Sequence, residues 1–173
     1  MNTETDAWLN SNDSKDYFAL LKMPTVGANP RHLRDCVQAA TWLKKWLKGI
    51  GAEAELILPE EGKGKKEEGR GAKPLTPVPV VYGELKGEEG ATTVLVYGHY
   101  DVQPPDPLDL WETPPFEPTL KDGRVYCRGA QDDKGQFFAF LCGVRALVEA
   151  VPARRLPINV KFLLEGQEES GSG

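Results

Sequence analysis

Two short apolar runs, residues 92–97 (TTVLVY) and 158–164 (INVKFLL), flank a helical pattern over 133–149, and this alternation limits the fold more than any other feature. The first run is β-branched with almost no polar alternation, which predicts a strand buried on both faces. The second predicts another core strand. Between them Phe137, Leu141, Val144 and Val148 recur at helical spacing and mark one buried face. Upstream, Leu33, Val37, Ala40, Leu43, Leu47 and Ile50 repeat that spacing and predict a helix over 30–48. Asn29 suits its N-cap, Pro30 its first position, and Gly49 and Gly51 its end. A shorter helix is expected over 15–22, with strands over 53–58 and 78–85 and a brief one over 125–127. Strands alternating with helices give an α/β layer fold, and the opening hairpin makes its sheet mixed.

At 173 residues, 40% of them hydrophobic, the chain fits about one domain with a real core. A formal net charge of −5 argues against nucleic acid, whose phosphates need a basic surface. Residues 1–12 lack the positive start and apolar run of a secretory signal, and no apolar stretch has the length of a membrane span. Cys36, Cys127 and Cys142 are an odd number with no CxxC spacing, which reads as reduced buried thiols in a cytoplasmic protein. In 59–77, Glu60, Glu61, Glu67 and Glu68 balance Lys63, Lys65, Lys66 and Arg70, as in a flexible solvated loop. Six prolines over 104–118 predict a stiff, irregular loop.

Three polar clusters fall where elements end. His99 and Asp101 follow TTVLVY, and residues two apart on an extended segment share a side. A metal-ligating histidine usually gives its second ring proton to a carboxylate. An ordinary hydrogen-bonded His–Asp pair fits as well, although His99 is one of only two histidines. The other, His32, begins a scaffold helix. Asp132 and Asp133 precede the second long helix, either to cap it or to bridge metal ions. Glu168 and Glu169 follow INVKFLL, either in a solvated loop or as a ligand beside a general base. Three such clusters together are far more specific than any one.

The stretches 94–104 (VLVYGHYDVQP), 110–118 (LWETPPFEP), 122–135 (DGRVYCRGAQDDKG) and 163–172 (LLEGQEESGS) resemble the M20 metallopeptidases, within them the carnosinase-like dipeptidase branch. The likeness reaches back to 17–26 (YFALLKMPTV) and is most specific from Val94 onward. It implies a mixed-sheet, three-layer (helix/sheet/helix) zinc-peptidase-like catalytic domain, of which 1–173 is an incomplete amino-terminal part. The family's lid and dimerisation domain, and the carboxy-terminal part of its catalytic domain, are not among these residues.

Carried over by position, His99 is a metal ligand with Asp101 as the carboxylate behind it. Asp132 is the carboxylate shared by two ions, with a cis peptide to Asp133. Glu168 is the general base and Glu169 a ligand of the ion opposite His99. The resemblance implies two divalent cations, zinc first and manganese or cobalt as alternatives. It also implies hydrolysis of dipeptides or small peptides, and a homodimer of the full-length form, with neither nucleic acid nor membrane as partner. Cys127 departs from the pattern, since many relatives have glycine there. A deacylase or desuccinylase acting on N-acyl amino acids is the nearest alternative, and a non-catalytic binding or association module the next. The 173-residue chain alone is expected to be almost inactive and to expose apolar surface where later strands would pack.

Overall fold

The computed structural model describes residues 7–58, 78–151 and 155–172, so the loop reading of 59–77 lies outside the described residues. Helix α1 (Asn12–Leu21) starts three residues before the expected position, because Ser11 caps it by accepting a hydrogen bond from the Ser14 N–H at 3.2 Å. Asn29 caps as expected, but what it opens is a 3-10 turn, Pro30–His32, from which α2 (Leu33–Gly49) continues. Helix α2 buries Leu33, Ala40, Leu43 and Leu47, as the periodicity predicts, together with Cys36 and Ala39.

Strand β1 (Glu53–Ile57) pairs antiparallel with β2 (Val80–Leu85). Strand β3 (Thr93–His99) is followed by a small hairpin, β4 (Thr119–Lys121) and β5 (Arg124–Tyr126), that turns through Asp122 and Gly123, both at positive φ. Helix α3 (Lys134–Ala150) then leads to β6 (Asn159–Glu165). The main sheet has the order β1-β2-β6-β3, with β2 antiparallel and β3 parallel to β6, so it is mixed as expected.

Gly83, Phe162 and Val96 are cross-strand neighbours on one face of this sheet. A side chain on Gly83 would come within 2.9 Å of Leu47 of α2, and one on Gly98 within 2.8 Å of Phe137 of α3. Both long helices therefore cover this face, and Val81, Phe162, Leu164, Leu43 and Phe138 form a single core with them. No helix among the described residues is long and apolar enough to cross a membrane.

Strand β3 corrects one expectation. It is not buried on both faces but lies at the sheet edge, and Leu95 and Tyr97 are 61% and 54% exposed on the side away from α3. Lack of alternation marks apolar character on both faces, and among the described residues the helices cover only one of them. The run TTVLVY has no charge or proline, the devices that usually protect an edge from pairing with another chain. Concentration-dependent self-association is accordingly expected of the purified chain, weakened by Leu95→Lys. Sedimentation velocity over a range of concentrations checks this, and equal monomer fractions for the two proteins would count against it.

Candidate metal centre

Strand β3 does not stop at Tyr97, where the apolar run ends, but continues through Gly98 to His99, with Gly98 beside Leu164 and His99 beside Glu165. Glycine is needed there for space: a Cβ would lie 2.8 Å from both Asp133 Oδ2 and Phe137 Cβ. Gly98→Ala is expected to cost about 1–3 kcal/mol of stability by overpacking. Thermal unfolding measures this, and an unchanged midpoint contradicts it.

His99 is 7% exposed and faces carboxylates on both sides. Its Nδ1 lies 3.4 Å from Asp101 Oδ1 and 3.2 Å from the Asp101 carbonyl oxygen. Its Nε2 lies 3.3 Å from Asp132 Oδ1 and 3.9 Å from Glu168 Oε2. Burial alone would push the imidazole pKa down. The hydrogen bond and negative charge of Asp101, with a further contribution from Asp133, outweigh that and hold it up at about 9.

Asp101 is wholly buried, and its carboxylate binds more than the imidazole. Oδ1 accepts the Glu168 backbone N–H at 3.3 Å and Oδ2 that of Glu169 at 3.1 Å. A carboxylate behind His99 is expected from the sequence; its hold on the acidic loop is not. That loop is a short 3-10 turn, Glu168–Ser170, closed by Gly171 at positive φ. The Gln103 side-chain amide donates to Glu169 Oε2 at 2.7 Å, another contact without a signal in the sequence.

Asp132 and Asp133 are joined by a cis peptide and enter α3. Asp133 holds the N-cap position, yet its side chain makes no capping bond; its Oδ2 accepts the His99 backbone N–H at 3.0 Å. Burial raises its carboxyl pKa, partly offset by the bond from and charge of His99. The Asp132 side chain is 71% exposed and reaches His99 Nε2 instead of capping the helix. Lys134, next in the chain, is fully buried, with Nζ donating to the carbonyls of Leu20 at 3.1 Å and Met23 at 2.7 Å. Burial pushes its pKa down to about 8.

The three arms thus converge. One donor atom each from His99, Asp132 and Glu169 lies within 4.8 Å of the others. His32 stands apart at the start of α2, with its Nδ1 2.7 Å from Asp35 Oδ2. Cys127 is buried, with its thiol donating to the Pro115 carbonyl at 3.1 Å, and is not part of the donor set.

Residues 95–173 match the sequence profile of "Peptidase family M20/M25/M40". The chain is 40% identical over 161 residues to a Beta-Ala-His dipeptidase of Mus musculus, an alignment covering 91% of this chain and 30% of that protein. Its fold is similar to that of human carnosine dipeptidase 1, with a TM-score of 0.76 and 29% identity over 96% of this chain and 34% of that one. It is also similar to an M20 family metallo-carboxypeptidase of Sulfolobus solfataricus, with a TM-score of 0.74 and 33% identity over 94% and 32% of the respective chains. The chain therefore spans about a third of the length of these relatives.

Proposed function

We propose that the chain is a member of the M20 peptidase family, and that His99, Asp132 and Glu169 hold divalent metal for hydrolysis of the peptide bond in dipeptides or similarly small peptides. The convergence of those three side chains, drawn from three separate element ends, carries the reading. The donor set fits such ions. Two ligands about 2.0–2.2 Å from one tetrahedral ion lie roughly 3.3–3.5 Å apart, and His99 Nε2 and Asp132 Oδ1 are 3.3 Å apart. The Asp101 carboxylate on the opposite ring nitrogen fixes the imidazole, as an outer partner of a histidine ligand does.

We assign two ions to the site, zinc first with manganese or cobalt as substitutes, supported by imidazole and carboxylate donors and by two oxygens on Asp132 for a shared position. When bound, such ions lower the pKa of water and polarise a carbonyl. The chain's own contribution to the proton path is Glu168. Its carboxylate, partly exposed and 3.9 Å from His99 Nε2, takes the proton of the attacking water and returns it to the leaving amine. Asp101 keeps Glu168 and Glu169 in place through their backbone N–H groups. The three free thiols support a cytoplasmic location, and a homodimer of a full-length form is part of the same proposal.

Zinc titrated into the purified chain by calorimetry tests the site. His99→Ala is expected to weaken binding at least tenfold, roughly the size of effect seen even for outer-shell changes, whereas Glu168→Gln retains it. Undiminished binding by His99→Ala sinks the assignment. In a polypeptide of the relatives' length, faster hydrolysis of dipeptides than of N-acyl amino acids separates the peptidase reading from a deacylase.

A further inference from the structure

One stretch of chain far from the acidic clusters in sequence touches all three arms of the site. The Met23 carbonyl accepts from Lys134, which ties the segment to the entry of α3 beside Asp132. Thr25, fully buried, grips the backbone around Asp101 from both sides. Its hydroxyl donates to the Tyr100 carbonyl at 2.6 Å, and its carbonyl accepts from the Val102 N–H at 2.9 Å. At Gly27 a Cβ would lie 2.9 Å from Asp101 Oδ2 and 3.0 Å from the Gly166 carbonyl, so the main chain there presses against both the carboxylate and the acidic loop. Tight turns within the segment, Thr25 N–H to Met23 carbonyl and Val26 N–H to Pro24 carbonyl, fix these contacts relative to one another.

We propose that residues 23–27 form a bracket that sets Asp101 in register with His99 and the Glu168–Glu169 turn, with Thr25 as its positioning residue. The inference rests on the metal-site reading above. It assigns Thr25 no contact with metal or substrate. Thr25 fixes the peptide groups on either side of Asp101, and Gly27 closes the space beside its carboxylate. The carboxylate is then left facing the imidazole and the two loop N–H groups. Without the Thr25 hydroxyl the buried Tyr100 carbonyl loses its partner, and Thr25 then holds the segment that orients Asp101 on one side only, through the Val102 N–H.

The test is zinc affinity of the folded chain, by calorimetry with circular dichroism as the check on folding, for Thr25→Val, Thr25→Ser and His99→Ala. Valine keeps the shape of threonine and removes the donor; serine keeps the donor. Thr25→Val is expected to weaken zinc binding about 10–100-fold, the range for partners that orient a ligand, with Thr25→Ser staying close to the unaltered chain. A purely structural role would lower the melting temperature of Thr25→Val without moving its zinc affinity, and that result overturns the proposal. Should Thr25→Val not fold, Gly27→Ala, which crowds Asp101 directly, carries the same comparison. Loss of binding in His99→Ala with retention in Thr25→Val refutes the bracket alone, whereas no zinc binding by the unaltered chain refutes the metal site and the bracket together.

Discussion

Raising the pH of the metal-free chain from 6.5 to 9 is expected to remove about 3 kcal/mol of stability through His99. The imidazole pKa is about 9 in the folded chain against 6.5 as its ordinary value. Its ring faces Asp101 on one nitrogen and Asp132 and Glu168 on the other, with Asp133 bonded to its backbone N–H. Between those two pH values the native chain binds more protons than the unfolded one. The stabilisation is therefore complete below pH 6.5 and is lost as the pH rises through 9. Urea unfolding at steps across this window, with His99→Gln as the reference, isolates the contribution. A difference between the two proteins that stays flat with pH refutes it.

The same proton has to leave before a cation can bind to Nε2. Zinc affinity is accordingly expected to rise about tenfold per pH unit over this window, with release of one proton per ion bound at His99. Calorimetry in buffers of different ionisation enthalpy counts that proton. An affinity independent of pH between 6.5 and 9 contradicts the expected competition.

What the sequence made legible follows from where its signals are local. Polar clusters at element ends mark His99, Asp132 and Glu169 in the sequence, two after core strands and one at the entry to a helix, and in an α/β sheet ligands bind beyond the carboxyl ends of strands. Helical spacing correctly placed the buried faces of α2 and α3. The edge position of β3 was hidden, because an apolar run reads alike whether a layer covers its second face or not. The need for glycine at position 98 was hidden as well, since the contact that demands it comes from Phe137 in a helix beyond a long loop. Lys134 beside two aspartates looks solvated, and its carbonyl partners are more than a hundred residues away. Thr25 and Gln103 were silent for the same reason: their bonds span 75 and 66 positions. Chemistry that sits next to its structural cue can be read from the chain; bonds that hold separate elements together cannot.

Asp101→Asn is the substitution with the largest expected effect on the site. It changes shape least and hydrogen bonding most. The two loop N–H groups of Glu168 and Glu169 each need an acceptor, and aspartate supplies an oxygen to each. Asparagine supplies only one, so its NH2 group must meet an N–H donor or turn away from it in a place with no access to water. The imidazole loses the buried negative partner beside its Nδ1 at the same time. Together these changes are expected to cost about 2–4 kcal/mol below pH 6.5, where both the bonds and the charge pair contribute in the unaltered chain. Without the Asp101 charge the imidazole pKa falls, so the pH dependence expected between 6.5 and 9 should largely disappear in the variant. Zinc affinity should drop about 10–100-fold, because neither His99 nor the Glu169 turn remains oriented. Urea unfolding at pH 6 and pH 9, with zinc titrations on the same samples, gives all three readings. If Asp101→Asn keeps both its stability and its pH profile, Asp101 does not join the imidazole to the acidic turn, and the common frame inferred for the three arms fails at its centre.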